Sequence, residues 1–303
     1  MCKKFLFQAE ESVISCEYEK DPDRGNERSN YMKKILRAIA FTLAALMLIV
    51  PAIAEENARP GITAHKANGI VIDGSLEDWN LDSPAVVNDA SQLIRDGHLW
   101  KGADDLSVTF YLSWDEDNLF FAADVTEDTP LGAIEMLPID GEDNLKLYIS
   151  TDPTADPDRT SYGTCDFLIY FLMDEGFWST AIDRSMITDK ETRCRFVSKG
   201  MDGGENVLNV PDSYACAITK TTTGFIWEAK IPWGCLSEEN TEVKKNTVPR
   251  YNPAVGDVLL CDFAITDIDY PCPGTEYIPQ MAWTGNQGIN TNPSLWGMVT
   301  LAE

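Results

Sequence analysis

Groups able to perform covalent or proton-transfer chemistry are scarce in this 303-residue chain. The only histidines are His65 and His98, and neither lies in a nucleophile motif that Ser-His-Asp or Cys-His catalysis would require. No phosphate-cradling glycine loop, dinucleotide fingerprint or zinc-protease motif occurs. A glycosidase needs only two carboxylates, but among 49 Asp and Glu residues their presence singles out none. The residue types therefore point to binding. Hard divalent cations take six to eight oxygens from carboxylates and carbonyls at turns, and acidic turns are abundant here. No contiguous EF-hand spacing is present, so the ligands of a cation would come from separated loops.

Charge and cysteine usage narrow the setting. Met32 is followed by the basic stretch Lys33-Lys-Ile-Leu-Arg37, the apolar run Ala38–Val50 and the small-x-small site Ala52-Ile53-Ala54. That order predicts a secretory signal peptide over 32–54, cleaved after Ala54. The run is short for a bilayer span, which needs about 20 residues. Residues 1–31 read as an upstream leader outside the working protein, with Met32 the true start. Of the chain's 24 basic and 49 acidic residues, eight and seven precede Glu55, so the remainder carries a net charge of −26. So negative a field repels nucleic acid and anionic membranes and favours divalent cations. Export to the extracellular space or periplasm follows, with no stable membrane span after cleavage. Six cysteines remain, Cys165, Cys194, Cys216, Cys235, Cys261 and Cys272; their number permits disulfides without choosing among pairings.

These residues must be positioned by β structure. Leu106–Trp114 alternates Val108, Phe110, Leu112 and Trp114 with Ser107, Thr109, Tyr111 and Ser113, the period-2 signature of a half-buried strand. Asp115–Asn118 is a tight turn, and Leu119–Val125 returns as the second arm of a hairpin. Further strands are expected at Gly69–Ile72, Asn144–Ser150, Cys165–Leu172, Phe177–Ile182, Arg193–Val197, Tyr214–Thr219, Gly224–Ile231, Asp257–Thr266 and Trp296–Leu301. Sustained helical periodicity is absent; Pro84–Leu93 and Leu236–Glu239 have room for a turn or two. About ten short strands without alternating helices predict an all-β, antiparallel β-sandwich of jelly-roll or immunoglobulin-like type. It forms one domain over 69–303, behind a linker at 55–68. Trp114, Trp227 and Trp233 fall in apolar strand patterns and are expected in the core.

An ordered series of short motifs adds a resemblance. It runs from Ile70-Val-Ile-Asp-Gly-Ser-Leu-Glu-Asp-Trp79 through Trp100-Lys-Gly-Ala-Asp-Asp-Leu-Ser107 to the segment Leu112–Asp128. Gly141–Ser150, Thr223-Gly-Phe-Ile-Trp-Glu-Ala-Lys-Ile-Pro-Trp233, Gly256–Asp269 and Leu295-Trp-Gly-Met-Val-Thr-Leu301 complete it. The series resembles the family 9 carbohydrate-binding modules, from the "IDG…D.W" opening to the "WG…L" close. That resemblance implies a β-sandwich, structural calcium and binding of sugars or sugar-chain ends. It implies a secreted, non-catalytic module for plant or other polysaccharide-derived sugars such as xylan, in carbohydrate catabolism. A separate glycoside hydrolase is the candidate partner.

By family position the calcium ligands are Asp128, Asp267 and Asp269, with Asp73 and Asp143 as further candidates and Asp78 and Asp104 behind them. The family's sugar clamp is a pair of facing tryptophans, and the corresponding stretches here, Leu137–Glu142 and Gly285–Leu295, contain no aromatic residue. Sugar contact is expected instead from Trp100, Trp178 and Trp283, near loops or strand ends, because sugar C–H faces stack on rings. Asn286 and Gln287 supply amides for hydroxyls. Trp79 and Trp296 belong to the framework. Two other readings remain open at this point: a structural or adhesion sandwich binding protein or cell-wall material, and a haem-holding sandwich using His98 with Met173, Met186 or Met201.

Overall fold

The computed structural model describes residues 59–129, 143–172, 213–238, 248–269 and 278–303, together with the backbone of three short strands between 186 and 208. The expected leader, signal peptide, first linker residues and strand at Phe177–Ile182 lie outside these.

Fifteen strands form in order: β1 Gly61–Lys66, β2 Ala85–Val87, β3 Leu93–Arg95, β4 Leu106–Trp114, β5 Asn118–Glu127, β6 Asn144–Ser150, β7 Asp166–Leu172, β8 Met186–Ile187, β9 Cys194–Ser198, β10 Asn206–Leu208, β11 Ala215–Lys220, β12 Gly224–Pro232, β13 Val258–Thr266, β14 Gln280–Ala282 and β15 Gly297–Ala302. The described helical segments are single 3₁₀ turns, at Ala90–Gln92, Trp233–Leu236 and Pro293–Leu295. No helix among the described residues is long and apolar enough to cross a membrane.

Two expectations change. Part of the expected 55–68 linker is strand β1, which sits in the middle of the hydrogen-bonded path and pairs in parallel with both β15 and β4. All other pairings are antiparallel, so the sandwich is mixed at this one strand. Its pattern, with Ile62 and Ala64 buried, is too short and too weakly apolar to announce a central strand. Conversely, Gly69–Ile72 is loop; Ile70 and Ile72 pack with Leu76 against Trp79 on an outer face, so their hydrophobicity serves a loop that lies across the sheet.

One layer holds β4, β5, β12 and β11, and the other holds β15, β13, β6, β7 and β9. The inward parity of each strand meets in a shared core. Phe110 of β4 stacks on Phe263 of β13 with centroids 4.8 Å apart. Phe121 of β5 stacks on Phe171 of β7 at 4.1 Å, and Phe171 meets Trp227 of β12 edge-on. Such ring pairs add about 1 kcal/mol each beyond burial. Trp114, Trp227 and Trp233 are fully buried, as their strand patterns require. Cys216, Cys235 and Cys261 are core residues, and no disulfide involves Cys165 or Cys261.

Both outer faces are covered as well. Trp79, Phe120 and Ala122 form a layer beneath the 67–76 loop. Tyr148, Leu168, Leu260, Ala264 and Trp296 form another beneath the segment that contains Ile289.

Candidate functional site

Strand register creates the main polar site. Leu106 of β4 lies opposite Glu127 of β5, so the preceding Asp105 and the following Asp128 face each other at the end of one layer. Asn144 of β6 lies opposite Thr266 of β13, which brings Asp143 and Asp267 together at the end of the other. The Asp128 N–H donates to the Asp105 carbonyl at 3.2 Å, and the Ile268 N–H donates to Asp143 Oδ1 at 2.7 Å. Four strand ends thus converge on one acidic centre.

Two overlapping carboxylate triads result, Glu127–Asp267–Asp269 and Asp105–Asp128–Asp269. Within each, one oxygen per residue lies within 4.8 Å of the others. Oxygens around a single calcium ion are separated by up to about twice the 2.3–2.6 Å metal–oxygen distance, so each triad spans one ion. Burial lifts the Glu127 carboxyl far above the usual carboxylate range, and the charges of Asp143 and Asp267 push it further. Asp267 is lifted by burial and by the charges of Asp269 and Asp105. Asp267 is 3% exposed, and its Oδ1, like Asp269 Oδ1, is buried without a hydrogen-bond partner. Orphaned carboxylate oxygens inside a ring of like charges are the donor set a hard cation takes. The residues present therefore fit calcium.

The loop at 100–105 supplies the one described cation in contact with this centre. Lys101 Nζ lies 3.0 Å from Asp105 Oδ1 and 3.1 Å from Asp269 Oδ2. Asp104, Thr126, Glu127, Asp128 and the Thr221–Gly224 turn line an adjoining cavity of about 420 Å³.

Of the expected metal ligands, Asp128, Asp143, Asp267 and Asp269 come together, and Asp104 borders them. Asp73 does not join them. Its Oδ1 accepts from the Ser75 N–H in a local turn, and its own N–H donates to Glu228; Asp78 accepts from the Val71 N–H in the same loop. Sequence reasoning missed Glu127 and Asp105. The signal was available: Phe121, Ala123 and Val125 point inward, and the same parity carries Glu127 inward beside them.

The expected sugar contacts are occupied by structural duties. Trp100 is half-buried, and its Nε1 donates to the Leu106 carbonyl at 2.9 Å, pinning the loop that carries Lys101. Trp283 packs edge-on against Phe263 and presses on Gly297, where an added Cβ would meet its ring at 2.3 Å. Asn286 Nδ2 donates to the Leu295 carbonyl. Gln287 is exposed. Trp178 lies outside the described residues, as do Met173 and Met201, while His98 is exposed.

Glu228 explains why the opening motif and the β12 motif occur together. It is fully buried on the outer face and receives the N–H groups of Asp73, Gly74 and Ser75 and the indole N–H of Trp79. Gly74 has φ of +84°, and a Cβ there would collide with Thr219, so only glycine allows this nest of N–H groups.

Residues 72–303 match the family of "carbohydrate family 9 binding domain-like" modules. The chain belongs to that family. Its members are non-catalytic binding modules, in keeping with a site built from cation ligands. Among solved structures, the module is similar to a family 9 carbohydrate-binding module from Caldicellulosiruptor kristjanssonii in complex with cellotriose, at 15% identity, covering 80% of this chain and 94% of that one, with a TM-score of 0.47. The same organism's module in complex with glucose matches at 15% identity over 80% and 95%, with a TM-score of 0.46. No curated protein matches the chain.

Proposed function

We propose that this chain is a secreted, non-catalytic module that binds plant or other polysaccharide-derived sugars, held in shape by calcium at the Glu127–Asp267–Asp269 centre. Membership of the binding-module family over residues 72–303 carries the reading. Calcium would be held by Glu127, Asp267 and Asp269, with Asp128, Asp143 and Asp105 around them. When bound it supplies charge neutralisation that locks four strand ends together. The partly exposed rings of Trp100 and Trp283 and the exposed Gln287 amide are the described groups left for sugar contact, alongside Trp178. Cellotriose and glucose are the ligands of the solved relatives, so β-linked glucan and xylan fragments head the candidates. A separate glycoside hydrolase would be the enzyme served.

A glycan array probed with the purified protein, in calcium and again in chelator, tests this. Binding present in calcium and lost in chelator supports a metal-stabilised carbohydrate module. Folded protein that binds no glycan in either condition refutes it and favours the adhesion reading. Engagement of Trp100, Trp283 and Asn286 in internal contacts favours that second reading specifically.

A further inference from the structure

The outer triad already holds a cation, and it belongs to the chain. Lys101 Nζ makes contacts of 3.0 and 3.1 Å to Asp105 Oδ1 and Asp269 Oδ2. These are two of the three residues of the Asp105–Asp128–Asp269 triad. Asp105 Oδ2 accepts the Lys101 backbone N–H at 2.7 Å, so backbone and side chain grip one carboxylate. The side chains differ sharply in exposure: Lys101 is 62% exposed and Asp105 5%. The ammonium can therefore swing into solvent, whereas the carboxylate cannot. Asp269 is shared by both triads, and the orphaned oxygens of Asp267 and Asp269 face this centre. A divalent ion bonded to the same oxygens at 2.3–2.6 Å would lie close to the ammonium and repel it, and it carries twice the charge.

We propose that Lys101 is an internal counter-cation for the outer triad, which a divalent cation displaces on binding, releasing the side chain to solvent. This rests on the calcium reading of the neighbouring carboxylates. A lysine suits the role because its ammonium is a hydrated point charge on a flexible stem, unlike the planar arginine fork. The loop has a fixed base for such a swing, since Trp100 is pinned to Leu106 and Asp105 and Leu106 both donate to the Gly102 carbonyl.

The test compares wild type with Lys101→Met by calorimetric calcium titration and by thermal melts in chelator. The expected result has opposite signs: calcium binds Lys101→Met about tenfold more tightly, while the variant melts at a lower temperature than wild type in chelator. Equal or weaker calcium binding by the variant overturns the proposal. A second readout uses wild type alone, following modification of Lys101 by an amine reagent with mass spectrometry. Calcium should raise labelling of Lys101 several-fold; unchanged or slower labelling while calcium binds overturns the displacement. Absence of any calcium binding by wild type overturns the calcium reading itself, and is distinguished from the other failures by the wild-type titration.

Discussion

Two buried acidic sites of this module, at Glu228 and at Glu127–Asp267, solve the same physical problem in opposite ways. A carboxylate removed from water must be given donors or neutralised. Burial lifts Glu228, but the Trp79 indole and the N–H groups of Gly74, Asp73 and Ser75 oppose that lift. Glu127 accepts only the Thr129 N–H among printed contacts, and its neighbours Asp143 and Asp267 add to the burial effect. The Glu228 site is complete within the protein. The Glu127 site is complete only with a cation, and the difference separates a framework motif from a ligand site made of the same residue type.

The largest expected effect is at Glu228. Glu228→Ala should cost about 4 kcal/mol, because it strands four donors beneath the 67–76 loop. Chemical denaturation in calcium and in chelator should give the same loss. A loss that depended on calcium would erase the distinction between the sites.

Next comes Asp267→Asn. Wild type at calcium a hundredfold above its dissociation constant should gain about 3 kcal/mol over the chelated protein. The variant should lose most of that gain and, in chelator, be at least as stable as wild type, because one like charge has gone. Thermal melts across a calcium series would show it; a variant that kept the full calcium response would remove Asp267 from the site.

A smaller effect sharpens the comparison from a third position. Asp262 is buried beneath the outer layer and accepts from Thr284 Oγ1, the Thr284 N–H and the Phe263 N–H. Burial nevertheless pushes it up to about 7. Its folded form holds the proton more tightly than the unfolded chain does. Its contribution is thus present below the ordinary aspartate value near 4 and is lost as pH rises to about 7. Asp262→Asn should therefore be more stable than wild type by about 2 kcal/mol at pH 8 and no more stable at pH 4. Urea titrations at the two pH values measure it, and an equal effect at both would show that Asp262 is ionised throughout.

Much of the framework was legible from residue order. The Leu106–Trp114 strand, its hairpin partner and the core positions of Trp114, Trp227 and Trp233 follow from period-2 alternation, since strand side chains must alternate between faces. The role of Glu228 was not, because alternation placed it on the outward face, and only the 67–76 loop folding over that face buries it. The central position of β1 was likewise hidden: a parallel partner distant in sequence leaves no local signal. Asp128, Asp143, Asp267 and Asp269 were identified through the family's motif order, while Asp73 was drawn in by the same acidic motif and proves to build a turn. Asp105 and Glu127 were passed over because their immediate neighbours looked equally acidic.

By itself, then, the sequence determined the strand set, the apolar faces and the absence of recognised catalytic motifs, all of which depend on spacing along the chain. Only the tertiary structure decided which acids meet. The register of β4 with β5 and of β6 with β13 brings four distant strand ends to one place, where Coulomb repulsion at short range and low solvent access turn ordinary carboxylates into a cation site.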